Sequence, residues 1–482
     1  MRTKKTIVFI MSVLLLLLAV SSCTKGANES GNGANNQSEG EHGAIVIEWE
    51  NHDLRAEQFV LALSNGDYSV AAEGFDADMN KALGVRGLRN AWEGMVKDAG
   101  EIIDFSSTEK VPHDEYDIYN VISIHENTGI VTRIVFSQDG LVAGLFFNFT
   151  DIPETSDTES VQNDGFTEIP VIIGENTEYP LKGVMTLPDD VTDKIPAVVL
   201  VHGSGASDMN GVPAALPGYP NAPFKEIAEY LSLNGIAVIR YDKRTLTHGA
   251  AMMQQLGGGL TVWEETIEDA ISATRILKSD PRIDENRVYI LGHSLGGSLA
   301  PRIHASGGDY AGLILFAGTP RSLIEVIADQ QLLFALETME GKELEETIAL
   351  FESGIVEEQE AAILNMPDDE AKAEVDASGV SMYYFKDLLQ NPTEDYIKDI
   401  TAPFLVMQAE NDMQVFADKD FAMYQELLSG RDNVVFMLYE GLNHFFMPSA
   451  ITSITDIFDE YKIKASVDEQ VLRDIAEWVN MN

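Results

Sequence analysis

Cysteine is nearly absent: Cys23 is the one thiol in 482 residues, so no intramolecular disulfide and no thiolate-based metal or redox site can be built. Stability has to come from a packed core. Basic residues are scarce as well. Against 78 Asp and Glu stand 32 Lys and Arg, a formal net charge of −46, and such a surface repels nucleic acid, anionic headgroups and polyanionic wall polymers alike. Nucleic acid is excluded as a partner. The sequence also lacks an H-E-x-x-H pair, and we expect no metal and no cofactor. Nothing in it marks an oligomeric state. What is present is a globular composition, 45% apolar and 23% charged, in a chain long enough for two or three domains.

The first residues, MRTKK, are basic and lead into IVFIMSVLLLLLAV, a run short for a membrane span and right for a signal-peptide core. Leu18-Ala19-Val20-Ser21-Ser22-Cys23 resembles the bacterial lipobox, in which small residues precede a cysteine that becomes lipidated. The expectation is that residues 1–22 are a signal peptide and that Cys23 anchors the chain on the extracytoplasmic face of the cell membrane. An uncleaved anchor with an incidental cysteine is the alternative, and it too places the rest outside the cytoplasm. Residues 23–43, rich in Gly, Asn and Ser without apolar periodicity, read as a flexible tether.

From 44 to 150 helical spacing gives way to alternating runs. LRAEQFVLALSNGDYSVAAEGFDADMNKAL breaks at Asn65-Gly66-Asp67, VRGLRNAWEGMVKDAG continues to Gly100, and four β-rich runs follow up to residue 149. Helices followed by a meander predict a small α+β domain. This segment resembles a small domain of unassigned function found ahead of hydrolases in bacterial lipoproteins, and a cystatin- or ketosteroid-isomerase-like cone is the fold we expect. His113 and His125 read as satisfied surface histidines. Residues 151–164 are polar and acidic and read as a linker.

From 165 to 482 strands and helices alternate. PAVVLV, IAVIRYD, RVYILG, AGLILFAG and PFLVMQA are apolar throughout or nearly so, as strands covered on both faces must be, which predicts an α/β, doubly wound and mostly parallel sheet. Residues 321–398 are helical, acidic and too long for a crossover, and are expected to form a cap over the carboxyl ends of the strands. Its Leu332, Leu333, Phe334, Leu336, Leu350, Phe351, Ile355 and Ile363 face either the site or the cap's own core.

RVYILGHSLGGSLA sets Gly292-His293-Ser294-Leu295-Gly296 between a buried strand and a helix, the G-x-S-x-G elbow that lifts a serine hydroxyl above a sheet. A serine needs a base to take its proton and a carboxylate to hold that base's tautomer. Downstream lie two histidines, His304, which reads as structural on the helix after the elbow, and His444, in the loop after the last strand. PFLVMQAENDMQV and the residues just after it offer Glu410, Asp412 and Asp418 as acids. The oxyanion formed on attack needs two N–H donors, one of them the backbone N–H of Leu295.

Together HGSGASD, RYDKRTLTHG, LGHSLGG, AENDMQV and GLNHFF resemble the α/β-hydrolase superfamily, within it the esterases of the dienelactone-hydrolase and serine-aminopeptidase groupings. The resemblance implies Ser294 as nucleophile, Asp412 as the acid of matching spacing with Glu410 as alternative, His444 as base, and His202-Gly203-Ser204-Gly205 as the loop giving the second donor, from Ser204 or Gly203. It also implies cleavage of a small-molecule ester with a short or medium acyl chain. His202 is expected to fix its loop, His293 to pack beneath the elbow, and Arg240, Asp242, Lys243 and Arg244 to form an ion-pair network. Two readings compete. A peptidase or amidase would use the same triad with the histidine protonating the leaving amine, and a non-catalytic ligand-binding lipoprotein would keep the fold without turnover.

Overall fold

The computed structural model describes residues 55–100, 102–111, 116–125, 127–150, 160–189, 191–216, 219–376 and 379–482. Residues 1–22, expected to be a signal peptide, Cys23 and the expected tether to residue 43, and His113 lie outside them. The described residues form two compact units, one on either side of 151–159.

The first unit has helices Arg55–Ser64, Tyr68–Ala72, Ala77–Ala82 and Gly84–Ala99, then strands β1 (Ile102–Val111), β2 (Asp117–His125), β3 (Gly129–Phe136) and β4 (Val142–Thr150) in an antiparallel sheet of that order. Gly66 and Gly100, both at positive φ, end helices where the sequence predicts. Phe59, Leu63, Leu88, Trp92, Val121 and Ile134 close a core between helices and sheet. His125 departs from its expectation. It is fully buried, its Nδ1 donating to the Gly100 carbonyl at 2.9 Å and its Nε2 lying 3.0 Å from Ser123 Oγ, so it is satisfied within the core and not at the surface.

The second unit carries a nine-stranded sheet made of β5 (Val161–Gln162), β6 (Phe166–Ile173), β7 (Leu181–Pro188), β8 (Ile195–Val201), β9 (Ala237–Tyr241), β10 (Ile283–His293), β11 (Leu313–Phe316), β12 (Phe404–Ala409) and β13 (Val434–Tyr439). The order is β13-β12-β11-β10-β8-β9-β7-β6-β5, with β13 through β9 parallel and β7, β6 and β5 antiparallel. The sheet begins inside the stretch expected to be linker, because Val161 and Gln162 pair with β6, and two residues are too few to show alternation. The helix Arg244–Leu256 was not anticipated, since Thr247 and Gly249 weaken its helical signal.

Side chains alternate between the two faces of the sheet with period two. Val199, Ile290, Leu315 and Val406 pack on one side with the helices Glu268–Ser279 and Leu295–Ile303. Val198, Leu200, Leu291, Phe316 and Met407 pack on the other with Pro223–Leu233 and Glu469–Met481. Both faces are therefore dry, as the continuous apolar runs require.

Between β11 and β12 the cap folds as helices Leu323–Thr338, Gly341–Glu352, Ile355–Asn365, Asp368–Ala373, Met382–Gln390 and Thr393–Ile397. Ser322 and Glu325 start the first of these with a reciprocal capping box. Ile324, Ile327, Ile363, Ala371, Met382 and Phe385 form the cap's own core. Ile363 thus turns inward to the cap, while Leu333 and Phe334 pack against the body of the unit. Because Ile363 is fully buried there, Ile363→Ala is expected to cost about 2–5 kcal/mol, read as a lower urea midpoint with the helical circular dichroism of the native state retained.

Candidate active site

β10 runs buried to His293 and turns at Ser294, whose φ of 55° and ψ of −122° are unusual for a side-chain-bearing residue. The strain is held by its neighbours. A Cβ on Gly292 would stand 2.1 Å from the Gly296 carbonyl oxygen, and one on Gly296 would stand 2.5 Å from the carbonyl oxygens of Val201 and His202. Only glycine fits at either place. The Ser294 carbonyl then accepts from Gly297 and Ser298 N–H at 2.8 and 3.1 Å, starting the helix. Leu295 is its first residue, where backbone N–H groups have no acceptor within the helix.

At the end of β12, Asp412 is buried with its carboxylate fully used. Oδ1 accepts from the N–H groups of Gln414 and Val415 at 2.8 and 2.9 Å, while Oδ2 accepts from Gln408 Nε2 at 3.0 Å and His444 Nδ1 at 2.7 Å. His444, also buried, therefore carries its Nδ1 proton toward Asp412, which leaves Nε2 as the free base. Glu410 and Asp418 are exposed and take no part in this arrangement. His304 accepts from the Tyr310 N–H at 3.0 Å on the helix side, a structural contact as expected.

The loop bearing His444 is built by residues that the sequence reading did not single out. Asn443 Oδ1 accepts from the N–H groups of Phe445 and Met447 at 3.0 and 3.2 Å, and its Nδ2 donates to Glu460 at 3.0 Å. His293 Nε2 donates to the His444 carbonyl at 3.0 Å, so it does more than pack beneath the elbow. Gln408 is the other omission. A lone amide in the apolar run PFLVMQA was the available signal for it, and the Asn in the short turn GLNHFF was the signal for Asn443.

After β8, the His202 Nε2 donates to the Asp208 carbonyl at 2.9 Å and holds the loop Gly203–Ser207, as expected. A Cβ on Gly203 would lie 2.9 Å from Ser294 Cβ, so this loop runs directly against the serine. Ser294, Leu295, Gly203, Ser204 and His444 all line one cavity of about 920 Å³. Leu299, Leu323, Val326, Leu364, Val380 and Leu388 supply much of its apolar wall. None of the eight cap residues anticipated for that role lines it. The cationic residues in and just after β9 are engaged with carboxylates. Arg240 pairs with Glu168, Arg244 with Glu268 and Asp269, and Lys243 with Glu265, while Asp242 accepts from the Met209 N–H.

A serine that shares a cavity with an imidazole whose other nitrogen is held by a buried carboxylate belongs to the set of groups needed for attack on an acyl carbon. Among the described residues no group of three or more His, Cys, Asp or Glu is placed to hold a metal ion.

Two protein-family models match the chain: "Serine aminopeptidase, S33" over residues 222–448, a span that includes Ser294, Asp412 and His444, and "Protein of unknown function (DUF3887)" over residues 56–145. The chain is 33% identical to Esterase EstD of Thermotoga maritima over 427 residues, 89% of this chain and 95% of that protein. Among solved structures it is similar to Est1E from Butyrivibrio proteoclasticus, with 16% identity, a TM-score of 0.38, and coverage of 64% of this chain and 99% of that one. It is also similar to a dienelactone hydrolase from Anabaena variabilis, with 16% identity, a TM-score of 0.37, and coverage of 66% and 98%.

Burial holds the His202 imidazole down to about 3 and that of His293 well below its usual 6.5, with the Lys243 ammonium adding to the first and His444 to the second. Both rings stay neutral in the native state and take a proton once the chain unfolds. Their contribution to stability is therefore present above pH 6.5 and lost as the pH falls toward 3. Thermal melts between pH 7 and 4 are expected to show a decline in Tm that is shallower in His202→Asn than in the wild type.

Proposed function

Because the chain belongs to the serine esterases of the α/β-hydrolase superfamily, we propose that it cleaves carboxylic esters of short or medium acyl chain through an acyl-enzyme on Ser294. The observation that carries this reading is the 2.7 Å bond from His444 Nδ1 to Asp412, with His444 lining the same cavity as the strained Ser294.

In this mechanism His444 Nε2 takes the proton of Ser294 Oγ as the oxygen attacks the ester carbonyl. The negative charge that develops on the carbonyl oxygen is met by the backbone N–H groups of Leu295 and Ser204. Collapse expels the alcohol, protonated by His444, and a water activated by the same imidazole releases the acid. Asp412, held by four donors, keeps the Nδ1 proton in place and stabilises the imidazolium throughout. The apolar wall around Leu299, Leu364 and Leu388 takes the acyl chain.

The location belongs to the same proposal. A lipid on Cys23, with residues 23–43 as tether, would hold the enzyme on the extracytoplasmic face of the membrane, and the order of basic, apolar and small residues before Cys23 supports it.

With p-nitrophenyl acetate, butyrate and octanoate, the wild type is expected to show a chain-length optimum. Ser294→Ala should lose at least about 10⁴-fold in kcat, and Asp412→Asn about 10³- to 10⁴-fold. Turnover of aminoacyl anilides in preference to these esters would overturn the ester assignment. For the anchor, full-length protein expressed in a bacterium is expected to partition into detergent-extractable membranes, and Cys23→Ala is expected to leave that fraction. Equal partition of the two would reject lipidation.

A further inference from the structure

Lys243 stands where a cation is costly to keep. Its side chain is 2% exposed, directly after β9, and its Nζ donates to the Gly203 carbonyl at 2.7 Å while lying 3.1 Å from Glu265 Oε1. The carbonyl of Gly203 and the N–H of Ser204 belong to one peptide unit. That unit is planar and trans, so its N–H points opposite to its C=O. An ammonium group fixed on the carbonyl side therefore sets the direction of the N–H. It also draws electron density toward the carbonyl oxygen and makes that N–H a stronger donor.

The backbone of the same residue holds the other end of the loop, since the Lys243 N–H donates to the Ser207 carbonyl at 2.9 Å. One residue thus clamps the segment Gly203–Ser207 at both ends. Glu265, buried at the start of its helix, accepts on its second oxygen from the Tyr384 hydroxyl at 2.6 Å, and Tyr384 stands on the cap helix Met382–Gln390. Burial, and after it the Glu265 carboxylate, push the Tyr384 phenol well above its usual range, so it remains a donor. Glu265 and Tyr384 also border the cavity that contains Ser294.

We propose that Lys243 is a positioning residue that aims the Ser204 N–H at the oxyanion, and that Glu265 and Tyr384 tie this aim to the seating of the cap. The proposal rests on the assignment of Ser204 as an oxyanion donor made above. It accounts for a buried ion pair that an apolar pair would replace at little cost in stability.

The test compares wild type, Lys243→Met, Tyr384→Phe and the double variant Lys243→Met with Glu265→Gln, which leaves no unpaired carboxylate where the single lysine variant fails to fold. With p-nitrophenyl butyrate, kcat is expected to fall about 10- to 100-fold in the lysine variants and about 3- to 10-fold in Tyr384→Phe, with KM held within about threefold. Affinity for a trifluoromethyl ketone, whose adduct with the serine carries the oxyanion, should weaken by the same factors as kcat. A folded lysine variant with kcat within about twofold of wild type, or a loss confined to KM with ketone affinity intact, overturns the clamp and leaves the serine mechanism standing. Absence of ester turnover by the wild type, or its persistence in Ser294→Ala, overturns both.

Discussion

At Gly296 a methyl group would stand 2.5 Å from two carbonyl oxygens at the end of β8, and at Gly292 one would stand 2.1 Å from Gly296 itself. Backbone meets backbone at the elbow, with no side chain between. From this contact follows the position of everything near the reacting serine. β10 is brought against the loop that leaves β8, Gly203 comes to lie against Ser294, and the helix after the elbow begins at Leu295 in the wall of the same cavity. Looser packing at either glycine would separate Ser294 from the Gly203 loop, and positioned reactive groups do not tolerate a misplacement of about 1 Å.

Around this backbone contact the polar parts are over-determined. Asp412 receives four hydrogen bonds, two from its own turn, one from Gln408 and one from His444. A buried carboxylate with fewer partners would be too costly to keep charged. The His444 loop is fixed in turn by Asn443 from within and by His293 from beneath. The cap touches both halves of the arrangement: Gln330 donates to the Gln414 carbonyl beside Asp412, and Tyr384 reaches Glu265 beside the Gly203 loop. The geometry around Ser294, Asp412 and His444 is set by strand ends and loops together with two of the cap helices.

Much of this was legible in the sequence because the informative contacts are local. Strands covered on both faces have no polar face to alternate with, so β8 and β11 read as unbroken apolar runs and β12 as one broken only by Gln408. Ser294 was marked by glycines two residues away on either side. Gln408 and Asn443 were not marked, since their roles depend on where Asp412 and His444 arrive in space. Glu265 and Tyr384 are 119 residues apart, and no local pattern joins them. The cavity wall was misassigned for a related reason. In a helical segment as apolar as Leu323–Thr338, periodicity shows that several faces are buried without showing which partner buries each, and Val326 rather than Leu333 or Phe334 proved to face the cavity. His125 read as a surface residue because an imidazole in a strand gives no sign of the Gly100 carbonyl that receives it.

The alternation of β8, β10, β11 and β12 between two dry faces also sets where this unit can change its length over evolutionary time. Insertion of one residue within any of these strands would exchange its inward and outward sets and, beyond that point, turn the last residue of the strand to the opposite face. Ser294, Asp412 and the loop Gly203–Ser207 all follow closely on such strand ends. Gaps in an alignment of descendants should therefore fall in the connections, above all in the cap between β11 and β12, while the spacing from Val198 to Gly203 and from Val288 to Ser294 stays constant. Diversification of substrate by adding or trimming segments is open to this architecture only on the side of the sheet edge where the cavity already lies.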